Sequence, residues 1–122
     1  MGLKKSDDLN CLIEAITIRE EILKNNQSIG KYNKYFEIMR KCARKLIDLN
    51  RQEDILPYLN SNSVSMQYDI AQILYNIYPE ECKAVLKRIS EMSSKTGLPA
   101  YLGNVRLSAL MTLEYGIPKD FP

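Results

Sequence analysis

Residues 31–50, KYNKYFEIMRKCARKLIDLN, separate into two halves when wound at about 100° per residue. Tyr35, Phe36, Ile38, Met39, Cys42, Ala43, Leu46, Ile47 and Leu49 fall in one half, and the basic residues Lys34, Arg40, Lys41, Arg44 and Lys45 fall in the other. A strand, whose side chains alternate face at every residue, would scatter this pattern across both faces. The same helical period returns in the stretches between sparse glycines and prolines, and no alternating strand pattern competes with it. The fold class this predicts is all-α.

Six helices follow. The first spans about 7–24, with Leu9, Leu12, Ile13, Ile16 and Leu23 on one face, and Ser28 or Gly30 starts the second at about 31–50. A short helix near 53–59 is interrupted or started by Pro57, and turn residues lead into a central helix at about 64–77. Pro79 ends that helix and suits the first turn of the next, where Glu80 and Glu81 favour the positive helix end. Gly97 caps the fifth, and the sixth runs from about Pro99 to Tyr115. Short turns make these antiparallel pairs, about 7–50, 53–77 and 79–115, within a single helical-repeat domain over 1–122. Met66-Gln67-x-x-Ile70-Ala71-x-x-Leu74 aligns with Val105-Arg106-x-x-Ala109-Leu110-x-x-Leu113 at an offset of 39 residues. That spacing is at the low edge of HEAT/armadillo-like arrays, so the expected architecture is an αα-superhelix.

Composition narrows the chemistry. The chain has no histidine, which removes the commonest general base and zinc ligand, and it shows no phosphate loop, nucleophile elbow or metal-ligand spacing. No enzyme, cofactor or metal is expected. No apolar run reaches the length of a bilayer span, and the N-terminal MGLKKSDDLNCLIEAI does not read as a signal peptide. Cys11, Cys42 and Cys82 are odd in number and set among apolar residues, so they read as buried reduced thiols of a cytoplasmic protein.

Residues 53–116, EDILPYLNSNSVSMQYDIAQILYNIYPEECKAVL…GLPAYLGNVRLSALMTLEYG, resemble a family of small bacterial HEAT-like helical domains of uncharacterised function. Asn104-Val105-Arg106 carries the most specific part of the likeness; Met66-Gln67 departs from the valine-arginine pair common after the family's first turn. The resemblance implies an αα-superhelical binding module. Proteins of this shape occur beside secreted toxins as immunity proteins, so it also implies that role, with a toxin domain as partner.

Three groups of residues are candidates. Arg106 shares a predicted face with Leu102, Ala109, Leu110 and Leu113, and a buried arginine needs a partner. The candidate partners are Asp69 and Glu114, and an Arg106–Asp69 bond would tie one helical pair to the next, against the alternatives of snorkelling or ligand binding. A partner-binding groove is expected from Tyr101, Asn104, Ser108, Met111 and Tyr115, with Tyr68, Asp69, Gln72, Tyr75 and Asn76 beside it. Tyrosine and methionine are enriched where proteins meet, although these tyrosines could equally fill the layer between helices. Lastly, Lys31–Arg51 holds seven basic residues against Glu37 and Asp48. Its exposed side, Lys34, Lys41 and Lys45, is either a solvated face with ion pairs such as Glu37–Lys41 or a site for an acidic protein. Nucleic acid ranks last among partners, because no stacking aromatics accompany these charges.

Overall fold

A computed structural model describes the backbone of residues 2–122 and the side chains of residues 8–93 and 95–122. Among the described residues there are six α-helices and no strand: α1 (Gly2–Lys24), α2 (Ile29–Asp48), α3 (Gln52–Ile55), α4 (Val64–Leu74), α5 (Pro79–Ser90) and α6 (Gly103–Tyr115). None is long and apolar enough to cross a membrane. The chain divides into two compact units, one up to Pro57 and the other Tyr58–Phe121.

In the first unit α1 and α2 pack against each other along their lengths. Both end the same way. Asn26 (φ 52°) and Asn50 (φ 60°) adopt the left-handed conformation. The following amides reach back to the last turn, Gln27 N to Ile22 O at 2.9 Å and Arg51 N to Leu46 O at 2.8 Å. These are Schellman closures with asparagine in the place usually taken by glycine, satisfying carbonyls that a helix end leaves open. Ser28 settles where α2 begins, because its Oγ accepts from Lys31 N at 3.3 Å. Leu12, Ala15, Ile16 and Ile22 of α1 meet a core that includes Met39, Ala43 and Leu46 of α2.

Within that core lies Arg19, only 5 % exposed. Its guanidinium stacks 4.1 Å from the Tyr32 ring centre and 5.1 Å from that of Phe36, and Nη1 lies 3.6 Å from Met39 Sδ. The cysteine expectation also changes here. Cys11 and Cys42 are joined in a disulfide between α1 and α2, with 6.3 Å between their Cα atoms, and Cys82 alone remains a thiol. Facing helices bring together two cysteines separated by 31 residues, a juxtaposition that spacing along one helix cannot show.

In the second unit α5 packs against both α4 and α6, which also touch each other. Ser63 caps α4 by accepting from Met66 N at 3.1 Å. Apart from Met66, Gln67 and Gln72, the residues Ser65–Leu74 are all buried, so α4 is the central helix of this unit. Pro79 opens α5 with Glu80 and Glu81 in its first turn. That helix stops at Ser90, and Gly97 (φ +98°) lies beyond a separate 3-10 turn at Ser94–Thr96. The two aligned nine-residue segments do not sit in equivalent environments: Ala71 is fully buried, whereas its counterpart Leu110 is 47 % exposed.

Candidate protein-interaction surface

Helix α6 carries more apolar side chains than one face can hide. Leu102, Val105, Ala109 and Thr112 form its buried strip, at the three- and four-residue spacing of a single face. Thr112 enters this strip without an orphan hydroxyl, since Oγ1 donates to the Ser108 carbonyl at 2.9 Å. The strip is rotated by roughly 60° from the one expected around Leu102, Arg106, Ala109 and Leu113, taking about 100° per residue. Its rotation turns large side chains outward: Leu107 is 50 % exposed, Leu110 47 %, Met111 56 % and Tyr115 74 %. Asn104 is exposed on the same side and Ser108 is half-buried at its edge.

The other sequence candidates are placed differently. Tyr68 and Asp69 point into the unit, with Asp69 only 2 % exposed, so neither forms part of a surface. Tyr68 instead takes a hydrogen bond on its hydroxyl from Gln72 Nε2 at 2.6 Å. Tyr75 and Tyr101 are half-buried. Asn76 is exposed but engaged: its amide donates to the Pro118 carbonyl at 2.8 Å, holding the C-terminal segment against the end of α4. The α4 half of the expected groove is therefore mostly interior or already bonded.

Arg106 is half-buried. Arg88 of α5 links two helices in this unit, its Nη2 donating to Gln67 Oε1 of α4 at 2.6 Å. Gln67, at the position where the resemblance leads one to expect arginine, is thus the acceptor of an interhelical bond. In α2, Lys34, Lys41 and Lys45 are all exposed. Glu37 pairs with Arg40 at 3.0 Å rather than with Lys41.

A cavity of about 330 Å³ opens between α1 and α2, lined by Asn10, Cys11, Glu14, Ala15, Ile18, Tyr35 and Ile38. In the second unit, Cys82 is fully buried, and its thiol is pushed up to about 12, first by desolvation and then by the nearby Glu81 charge. It is an inert core thiol rather than a nucleophile.

Sequence reasoning missed Leu107 and Leu110 as surface residues. The available signal was the excess of apolar residues around α6, which no single buried strip can accommodate. Comparison of the chain with protein-family models, curated proteins and solved structures returned no match.

Proposed function

We propose that this protein is a non-enzymatic binding module that docks on another protein through the outward face of α6. The supporting observation is the exposure of Leu107, Leu110, Met111 and Tyr115 on one helix. Contiguous exposed apolar side chains mark interaction sites in soluble proteins, and tyrosine and methionine are favoured there. Asn104 and Glu114 supply a polar edge. The more specific form of the reading is a cytoplasmic immunity protein of HEAT-like αα-superhelical build that covers a toxin domain's active site. The resemblance of residues 53–116 and the apolar α6 face both support it.

The test is titration of the purified protein against a toxin domain found in a neighbouring reading frame, comparing wild type with Met111→Lys/Tyr115→Ser. Loss of two central anchors should weaken Kd by about 100-fold or more, with the melting temperature unchanged. Equal affinity in the double variant would overturn the α6 reading, and no binding at all would overturn the immunity role.

A second reading rests on the exposed lysines of α2: a nucleic-acid-associated helical protein. Its signature is an affinity that falls steeply with salt, by roughly one power of salt concentration per phosphate neutralised. Absence of binding to duplex or single-stranded probes at low salt would remove it.

A further inference from the structure

We propose that the Cys11–Cys42 disulfide is an exchangeable one, opened from its Cys11 side by a small cationic aminothiol that enters the cavity between α1 and α2. The inference concerns the first unit and does not depend on the role of α6. Three observations support it. Cys11 lines the cavity, whereas Cys42 is 7 % exposed and not among the lining residues. Thiol–disulfide exchange requires a thiolate to approach one sulfur along the S–S axis with the other sulfur leaving, and access decides which sulfur is attacked. A nucleophile arriving through the cavity therefore meets Cys11 Sγ. The volume, about 330 Å³, suits a small ligand and not a protein reductant's whole active-site loop.

The lining also selects the thiol. Among the described residues that line it, Ala15, Ile18 and Ile38 are apolar, Asn10 and Tyr35 are polar, and Glu14, one helical turn from Cys11, is the acidic side chain. Lys34 Nζ lies 5.9 Å from the centre of the Tyr35 ring, and Lys34 is not among the described lining residues. Glu14 thus attracts a thiol carrying an ammonium group and repels an anionic one. The aminothiol's thiolate attacks Cys11 Sγ, a new S–S bond forms there as the Cys11–Cys42 bond breaks, and Cys42 departs as a thiolate that takes a proton from water. A second aminothiol then displaces Cys11, leaving two protein thiols and the oxidised disulfide of the aminothiol.

The experiment uses full-length protein purified without reductant, whose intact mass should lie two hydrogens below that of the reduced chain. Cysteamine and 2-mercaptoethanesulfonate, matched in thiolate concentration, are mixed with it, quenched in acid and analysed by mass and peptide mapping. The first adduct should sit on Cys11. The cysteamine-to-sulfonate rate ratio should drop by about 25-fold in Glu14→Gln at low salt, because the lost attraction and the lost repulsion each contribute about 5-fold, the scale of one charge contact near 4 Å in water. In Cys42→Ser, where only Cys11 remains of the pair, cystamine should modify Cys11 with the same Glu14-dependent preference. An unbonded pair in the purified protein, a first adduct on Cys42, or a rate ratio unchanged by Glu14→Gln would each overturn the proposal.

Discussion

The guanidinium of Arg19 lies 4.1 Å from the centre of the Tyr32 ring. This pairing puts a cation inside the α1–α2 core, where desolvation would be costly without compensation; the faces of Tyr32 and Phe36 provide part of it. A planar guanidinium stacks on such rings in a way that an ammonium does not. Arg19→Lys is therefore expected to lower stability by about 1–3 kcal/mol in denaturant melts, whereas Arg106→Leu, at a half-buried site, should change it by less than about 1 kcal/mol. A larger loss from Arg106 than from Arg19 would reverse this assignment.

The two sides of α6 should respond oppositely to substitution. Leu107→Ser and Leu110→Ser on the exposed face are expected to stay within about 0.5 kcal/mol of wild type. Val105→Ala and Ala109→Leu disturb the buried strip, by lost packing and by overpacking, and should each cost about 1–3 kcal/mol. Thermal denaturation of the four variants measures the contrast.

Asn76 acts on the chain end. Asn76→Ala removes the amide that holds the Pro118 carbonyl, at a cost of about 0.5–1.5 kcal/mol. Hydrogen exchange at residues 119–121 should accelerate while α5 stays protected. Unchanged exchange there would show that the tail is held by other contacts.

Cys82 links stability to alkaline pH. Its thiol, with an ordinary value of 9.0, is raised to about 12 in the folded chain, so the unfolded chain loses its proton first. Stability from this group is fully present below about pH 9 and declines as pH rises toward 12, by a few kcal/mol in all. Chemical denaturation between pH 8 and 11 should show a steeper decline for wild type than for Cys82→Ala. Parallel curves would exclude the linkage.

The helix ends offer a local test. Ser63→Ala deletes the cap of the central α4 and should cost about 1 kcal/mol, and Asn50→Val, at φ 60°, about 1–2 kcal/mol. Asn50→Gly should be neutral or stabilising, because glycine adopts that conformation without penalty. Urea midpoints distinguish the three outcomes.

Much of the helical layout was legible in the residues. Pro79 with Glu80 and Glu81 starts α5 as expected, and Ser28 stands at the start of α2. Arg19 also left a trace: it occupies the next core position after Leu12, Ala15 and Ile16 and before Ile22, opposite Tyr32, Phe36 and Met39. Arg106 drew attention instead because its helix is the more apolar. In the candidate surface, Asn104, Met111 and Tyr115 are exposed as expected, but Tyr68 and Asp69 are interior, because α4 is buried on nearly all sides.

The sequence by itself determined that this protein is helical and where α4 and α5 begin, while several helix ends fell short of the expected bounds, α5 stopping at Ser90 and α6 starting at Gly103. Those properties depend on period, caps and prolines, which act between residues three to five apart. Only the tertiary structure decided which arginine is buried, which cysteines join and which strip of α6 faces inward. Each of these depends on a neighbour distant in the chain, and a helix with apolar residues around most of its circumference does not specify its own buried side.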